Sequence, residues 1–424
     1  MENKIFTVAI IGCGSRGAMV YGENMFKAPE KFKIVCLCDA SEMVANYYAN
    51  YFGVPSENVF YDEDEFFKVR RADFLVIGTQ DALHIRHATK AYMVGYDILL
   101  EKPISDNEQE CLDLLELQKK TGCITIVGHV FRYAPGFVKV KELLDAGEIG
   151  KLQYIDGLER VQYQHFCRSY VRGPWRNSEM ATPIILAKCC HDLDLMQFYA
   201  NSKCETVSCV GDLDFFNQKN APEGSAEYCL DCKHKETCLF SAYTYYIKRW
   251  KEEGCPEQMF PHSKISTFPI TEEKLVKALS TQSCGKCAFR SDNNVPDNLS
   301  VNMRFANGVK GRLLMQALTA KGSRRYTFYG TKGQITYEGQ GHKITVEKFG
   351  QEKYEIDVNE LILAQGVKGH SGGDIGLINA LYPMLSNNAT ASTSLQASIE
   401  SHIMGIRAEQ SRLQGGVPLK VHND

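Results

Sequence analysis

Val8-Ala9-Ile10-Ile11 runs straight into Gly12-Cys13-Gly14-Ser15-Arg16-Gly17. The apolar tetrad reads as a buried strand, and the residues that follow open a helix. In that setting G-x-G-x-x-G is a turn built to hold a pyrophosphate. Gly12 permits the tight turn, Gly14 lets the backbone approach the phosphates, and Gly17 lets the helix pack close to the strand. The helix N-terminus adds unpaired N–H groups and the positive end of a dipole. Ser15 and Arg16 fill the variable positions and belong to the same expected contact set. Asp39 ends the next strand-like run. A carboxylate there would bind the adenosine ribose hydroxyls and repel a 2′-phosphate, so NAD is expected over NADP. Arg16 argues weakly the other way. A Gly-rich turn beside an unrelated aspartate is the bland alternative, and strand, glycines, helix and acid together weigh against it.

Outward from this turn, the first 128 residues alternate. Strand-like runs at 5–11, 33–38, 73–78, 96–100 and 123–127 are separated by helix-like segments at 15–27, 41–51, 84–94 and 107–120. That is the pattern of a parallel sheet with crossover helices. The fold class is therefore α/β, with residues 1–128 as a Rossmann NAD-binding domain. From 129 to 424 the pattern becomes α+β. Helices are expected at 137–146, 184–200, 374–387 and 394–413. Strands are expected at 151–160, 206–215, 299–306, 309–318, 324–330, 334–338, 343–349 and 353–358, with Asn307-Gly308 as a hairpin signal. This predicts a large, mostly antiparallel sheet serving substrate binding and oligomerisation. Residues 216–297, rich in Cys, Lys, Glu, Pro and aromatics, read as an insertion.

Composition narrows the function classes. The chain has 424 residues, is 44% hydrophobic and 23% charged, and carries a net charge of −3. No apolar run reaches the roughly 18 residues of a membrane span, and the N-terminus lacks the order of a secretion signal. The expectation is a cytoplasmic protein that binds neither nucleic acid nor membrane. Its 16 cysteines do not form a disulfide framework, and several sit inside strands as small hydrophobes.

Glu101-Lys102-Pro103 follows the strand-like run 96–100, at the sheet edge where open α/β folds bind ligands. Gly78-Thr79-Gln80-Asp81 ends the preceding strand, and His84 opens the next helix. With Phe131-Arg132-Tyr133-Ala134-Pro135 and the helix carrying His191 and Asp194, the chain resembles the Gfo/Idh/MocA family of oxidoreductases over nearly its whole length. The resemblance implies that Lys102 contacts the substrate hydroxyl and the nicotinamide ribose, and that His191 acts as acid or base during hydride transfer; Asp194 and Lys188 join them as candidate catalytic residues. It adds Thr79, Gln80, His84 and Glu101 to the expected cofactor contacts, and Arg132 and Tyr133 to the substrate contacts. The chemistry is consistent: a secondary alcohol must lose a proton as its hydride leaves, and lysine and histidine both titrate in a tunable range. Read alone, His191 is as well explained as a hydrogen-bonded core histidine.

One departure concerns the helix at 184–200. Where the family pattern carries an aspartate four residues before the histidine, this chain has Ala187, followed by Lys188. If the helix is continuous, Lys188 lies one turn before His191. It would then add positive charge beside the nicotinamide, depressing the pKa values of Lys102 and His191. Trp175-Arg176-Asn177 offers an aromatic plate and polar forks suited to a sugar face, or else a core tryptophan and a surface arginine. His370-Ser371-Gly372-Gly373-Asp374 precedes a helix. His370 is expected at the substrate, and Asp374 either caps the helix or joins it.

Cys229-x2-Cys232-x5-Cys238 and the later Cys284-x2-Cys287 have spacings that suit tetrahedral zinc. A Cys-rich insertion also marks a subgroup of the family, and that resemblance implies Cys287 as the fourth ligand, with Cys284 and Cys255 as spares. A four-thiolate site would be structural and would tie down an insertion too polar to fold by burial alone. Reduced thiols or an iron–sulfur cluster are the other readings, the latter disfavoured in a hydride enzyme. The expected function is hydride transfer between a sugar or cyclitol hydroxyl carbon and NAD, in a homo-oligomer. The alternatives are a redox-neutral glycoside hydrolase or lyase working by transient C3 oxidation and elimination, and an NAD-binding sensor, for which Lys102 and His191 would be superfluous.

Overall fold

Uninterrupted apolar runs need cover on both faces, and here they form the strands of a parallel sheet. The computed structural model describes residues 4–257, 260–267, 269–364, 370–387 and 391–422. Strands β1 (Phe6–Ile11), β2 (Phe32–Cys38), β3 (Val59–Phe60), β4 (Phe74–Ile77), β5 (Asp97–Leu100) and β6 (Thr125–Val127) lie in the order β3-β2-β1-β4-β5-β6, every neighbour parallel. The order reverses between β1 and β4, and the crevice beyond their carboxyl ends is where such sheets bind ligands. Helices Glu42–Phe52, His84–Met93 and Glu108–Thr121 form the crossovers. The last shows why they begin and end where they do. Asn107 caps it by accepting from the amides of Gln109 and Glu110, and Gly122 stops it in a left-handed conformation at φ 72°.

Beyond β6 the chain builds a nine-stranded sheet from β7 (Leu152–Gln162), β8 (Cys204–Val210), β9 (Asn298–Phe305), β10 (Lys310–Thr319), β11 (Ser323–Gly330), β12 (Gly333–Glu338), β13 (Lys343–Lys348), β14 (Tyr354–Asp357) and β15 (Leu419–Lys420). Its order is β14-β13-β12-β11-β7-β10-β9-β8-β15, and only the β7–β10 pair is parallel. The protein is thus α/β with a mostly antiparallel second sheet, as the periodicity predicts. Gly308, at φ 88°, turns β9 into β10 where the Asn-Gly pair signals a hairpin. In β7 the residues Ile155, Gly157, Glu159 and Val161 share the buried phase. Glu159 therefore points into the protein, and Arg324 of β11 stands directly opposite it.

Three expectations need correction. Strands β3 and β15, two residues each, are too short to show a period in the sequence. The helix expected at 184–200 is two helices, Ile184–Ala187 and Cys190–Ala200, with a break at Lys188-Cys189. Ala187, Lys188 and His191 therefore do not share one continuous helical face. The insertion also has an apolar reason to fold. Tyr246, Ile247, Trp250, Leu275, Ala278 and Leu279, from helical segments Tyr243–Lys248, Arg249–Glu252 and Glu272–Thr281, form a separate core with Cys284 inside it. Each fully buried side chain of leucine size contributes about 2 kcal/mol, so burial takes part in ordering this segment. Among the described residues no helix is long and apolar enough to cross a membrane.

Candidate active site

The glycine turn has the geometry its spacing predicts. Gly12 stands at φ 83°, and a Cβ there would lie 2.6 Å from the Thr79 amide nitrogen. A Cβ on Gly17 would meet the Gly12 carbonyl oxygen at 2.1 Å. Gly14 differs: its Cβ position has nothing within 4 Å, so open space faces the backbone at the start of the helical segment Ser15–Gly22. That opening is a cradle for a pyrophosphate. Asp39 is held beside it, its carboxylate accepting from the amides of Cys13 at 2.7 Å and Ser41 at 2.8 Å. These residues fit NAD.

Arg16 turns away from the cradle. Its Nε meets Glu101 Oε1 at 2.6 Å, its Nη1 meets Asp374 Oδ1 at 3.0 Å, and its Nη2 donates to Tyr21 Oη at 2.6 Å. It thus ties the glycine loop to the first turn of the helix Gly373–Asn387 and lends no support to NADP. Glu101 is buried and also accepts from Tyr21 Oη and from the Lys102 amide. Burial would raise its pKa, but Arg16 and Lys102 outweigh that and hold the carboxyl below its usual range. Glu101 is therefore a fixed anion that sets the Lys102 loop. His84 is a strut as well: Nδ1 lies 2.6 Å from the Pro103 carbonyl oxygen and Nε2 3.2 Å from the Thr79 carbonyl oxygen, and the ring N–H donates to one of them. Its buried ring joins the loops after β4 and β5 and is closed to a cofactor.

Lys102 Nζ donates to the Ala187 carbonyl at 3.1 Å, at the helix break. His191 opens the next helix, buried among the rings of Phe131, His129 and His370 at 5.1, 5.8 and 6.1 Å. Its Nδ1 is sealed from solvent without a partner, which leaves Nε2 for a ligand. Burial, then Lys102, His129, Arg324 and His370, push its pKa well below the ordinary histidine value. Lys188 has no place among those influences. Its ammonium pairs with Glu159 at 2.9 Å, and Glu159 also meets Arg324 at 2.9 Å. The expectation that Lys188 brings its charge beside His191 is corrected: the helix break swings it onto β7.

Other expected site residues also serve the framework. The Arg132 guanidinium grips Asp194 at 2.7 and 2.6 Å and reaches the Ser392 carbonyl and Gln197, leaving no free fork for a substrate. Asp194, buried, is thereby a partner of Arg132 and does not touch His191. Tyr133 Oη bonds Thr393 Oγ1. Arg176 pairs with Asp292 at the surface. Trp175 is partly buried, and its Nε1 donates to Asp81, next to Thr79-Gln80, at 2.8 Å. Thr79 Oγ1 meets His87 Nδ1 at 3.0 Å. His370, half open to solvent, bonds Asp374 through Nδ1 at 2.8 Å and faces His191, so an imidazole–carboxylate pair enters the pocket. Sequence reasoning missed His129, buried without a hydrogen bond at either ring nitrogen and with Nε2 3.9 Å from Asp194, and the cluster Glu159–Arg324–Asp192–Tyr326. Glu159 and Arg324 carried a readable signal, since each puts a charge into the buried phase of a strand.

Cys229, Cys232, Cys238 and Cys287 line one cavity with Arg172 and His234. The Tyr228–Lys286 bridge and a bond from the Cys287 amide to the Glu227 carbonyl bring the two cysteine loops together. Cys284 faces the Ala278 carbonyl inside the insertion core, and Cys255 is exposed. Among the described residues no three His, Cys, Asp or Glu side chains close into a metal-holding group, so the expected zinc site is a convergence of thiols and not a formed coordination shell.

Two outcomes follow from this geometry. Gly14→Ala should leave the unfolding midpoint unchanged and weaken NAD binding by roughly tenfold or more, about 1.4 kcal/mol, because its methyl enters only the cradle. Gly17→Ala should lower both. Calorimetric titration beside thermal melts separates them. The second outcome concerns acid. His129, His165 and His191 lie well below the ordinary value and His402 falls to about 3, burial being the first cause in each. The unfolded chain takes up these protons near roughly pH 6.5, so the folded state holds fewer protons below that. Stability should be full above about pH 6.5 and decline as pH falls from there. Denaturant midpoints that stay flat from neutrality into mild acid would contradict this.

Similarity places the fold among known proteins. The family model described as an oxidoreductase family, NAD-binding Rossmann fold, matches residues 6–129, and its C-terminal alpha/beta domain matches 141–421. YteT of Bacillus subtilis (strain 168), whose name places it among oxidoreductases, is 25% identical over 77% of this chain and 75% of its own. The scyllo-inositol 2-dehydrogenase (NAD(+)) of the same organism is 27% identical over 49% of this chain and 57% of its own, so that match spans little more than half of the relative. Among solved structures, a levoglucosan dehydrogenase in complex with NADH and levoglucosan superposes with a TM-score of 0.73 at 15% identity, covering 99% of this chain and 100% of the other. At that identity the likeness concerns fold alone. With both family models matched across most of its length, the chain belongs to the Gfo/Idh/MocA family of NAD-binding oxidoreductases.

Proposed function

We propose that the protein oxidises a hydroxyl of a sugar or cyclitol, with NAD as hydride acceptor. The observation that carries this reading is the placement of Lys102 and His191. Lys102, just past the carboxyl end of β5, donates to the Ala187 carbonyl at the helix break, and His191 opens the helix that follows that break. Gly12, Gly14, Ser15, Gly17, Asp39, Thr79 and Gln80 would hold the dinucleotide. When bound, NAD supplies the acceptor for the hydride. His191, neutral at pH 7 because of burial and neighbouring charge, accepts the hydroxyl proton at Nε2. Lys102 donates to the same oxygen and stabilises the charge that develops on it.

A second reading has a specific observation behind it. His370, oriented by Asp374, is a second titratable group facing His191. Redox-neutral elimination from a glycoside needs a base for C2 beside the one that serves the C3 hydroxyl, and His370 supplies it. Free sugars, cyclitols and nitrophenyl glycosides assayed with NAD decide between the two. Reduced nicotinamide rising with a free sugar establishes the dehydrogenase. Nitrophenolate without reduced nicotinamide establishes the glycosidase. Lys102→Ala should lower kcat/KM by roughly 10²–10⁴-fold with NAD affinity retained, and near-normal turnover would sink both.

The finer features stand with this reading. Cys229, Cys232, Cys238 and Cys287 would hold a structural zinc, supported by their convergence on one cavity. Metal analysis should find about one zinc per chain, the content of a single four-thiolate site. Chelation should then lower the unfolding midpoint, and metal-free protein with the same midpoint would count against the site. Exposed Val210, Leu318 and Tyr329, each on a strand of the nine-stranded sheet, support a second copy packing there.

A further inference from the structure

We infer that Glu63 and His87 are positioning residues of the cofactor site, which fix the Thr79 hydroxyl as a hydrogen-bond acceptor for the ribose on the nicotinamide side of NAD. The inference rests on the NAD cradle described above and not on the identity of the substrate. Glu63 opens the short helix Glu63–Phe66, and His87 lies on the buried face of the helix His84–Met93. Thr79 follows β4. The three side chains meet in a row. His87 Nε2 lies 2.8 Å from Glu63 Oε2, and His87 Nδ1 lies 3.0 Å from Thr79 Oγ1. Among the described residues Thr79 Oγ1 has no other hydrogen-bond partner.

The carboxylate decides which way each hydrogen points. Glu63 also accepts from Arg86 Nη2 at 2.6 Å and from Lys90 Nζ at 2.5 Å. Burial would raise its pKa, but the bonds from Lys90 and His87 outweigh that and bring it down to about 2. An ionised carboxylate only accepts, so His87 Nε2 carries the ring hydrogen. The imidazole is buried, and burial holds its pKa below the ordinary histidine value despite Glu63. At neutral pH Nδ1 is therefore bare, and the Thr79 hydroxyl donates to it. That engages the only hydrogen the hydroxyl has, and Thr79, half-buried, keeps lone pairs alone for a ligand. Lone pairs cannot serve a phosphate oxygen, which also only accepts, but they suit a hydroxyl. The place of Thr79 says which hydroxyl. A Cβ on Gly12 would lie 2.6 Å from the Thr79 amide nitrogen, so Thr79 borders the glycine turn. In the sheet, β4 stands between β1, which carries that turn, and β5, which leads to Lys102, while β2, which leads to Asp39, lies on the far side of β1. A dinucleotide with its pyrophosphate at the turn and its adenosine ribose at Asp39 runs its other half over β4. The hydroxyls of that half are those of the nicotinamide ribose.

Calorimetric titration of the full chain with NAD, ADP-ribose and ADP tests this, because ADP-ribose keeps the second ribose and ADP lacks it. Thr79→Val should weaken NAD and ADP-ribose by roughly tenfold and His87→Phe by roughly fivefold, with ADP unchanged in both. His87→Gln, whose amide can donate to Glu63 and accept from Thr79, should restore most of the affinity. The double variant Thr79→Val/His87→Phe should bind no more weakly than Thr79→Val alone, since His87 acts through Thr79. Thermal melts confirm that each variant is folded, and Thr79→Val, nearly isosteric, keeps the test open if His87→Phe does not fold. A loss that falls equally on all three ligands, additive losses in the double variant, or undiminished NAD binding in folded His87→Phe or Thr79→Val overturns the inference and leaves NAD binding standing. If the natural chain binds none of the three, the cradle reading falls and the inference falls with it.

Discussion

The buried carboxylate of Glu101 is the point on which the site depends. One oxygen accepts from Arg16 and Tyr21 and the other from the Lys102 amide. Three elements that meet at the carboxyl ends of β1 and β5 are thereby fixed by one anion: the helix after the glycine turn, the Lys102 loop and, through Arg16 and Asp374, the segment that presents His370. Charge-assisted bonds in a buried setting are strong only while every partner is present. The cost of removing one is large because the remaining charge has no water to turn to. Framework and site are therefore not separable here, since the residues that shape the cofactor cradle also aim the lysine.

The fold was legible because burial imposes a period. Runs such as Val8–Ile11 and Phe74–Ile77, covered on both faces, read as parallel strands, while β7 and β9 alternate with a period of two. Two-residue strands carry no period. The break at Lys188-Cys189 was hidden as well, because nothing in Ala-Lys-Cys-Cys signals a stop and tertiary pairing decides it: Lys188 reaches Glu159 and Lys102 takes the Ala187 carbonyl. Among candidate site residues, the glycines, Asp39, Lys102 and His191 stand out in the sequence by motif and context. His84, Arg132 and Asp194 look like ligand-binding residues in a sequence, but they are struts. A polar side chain buried near a site must be satisfied by something, and the sequence does not say whether that partner is substrate or protein. Glu159 and Arg324 show the reverse case, a pair assembled across β7 and β11 from segments far apart in the chain.

The insertion has two supports of different kinds. Its helices pack Trp250, Tyr246 and Leu279 into a core of their own, and its cysteine loops close on Arg172. Arg172 donates to Cys229 Sγ at 3.7 Å and to the Phe240 carbonyl. It lies on the same stretch of chain as Tyr170 and Trp175, whose rings pack at 6.1 Å and whose indole Nε1 donates to Asp81. Whatever orders the cysteine loops therefore also orders the segment that reaches the loop after β4.

Charge, finally, explains why the buried His191 differs from an exposed histidine. Lys102, Arg324, His129 and His370 all bear on His191, and among the described residues its ring forms no ion pair with a carboxylate. Protonating it would add a positive charge to a buried group already facing several, so the neutral form is held well into acid. In the proposed reaction such an imidazole would take up a proton most readily as negative charge reached the pocket, and a bound oxidised nicotinamide, losing its positive charge on receiving a hydride, would supply that change. His191 would thereby tie proton removal from the hydroxyl to hydride departure, because each charge shift would make the other less costly in this buried setting.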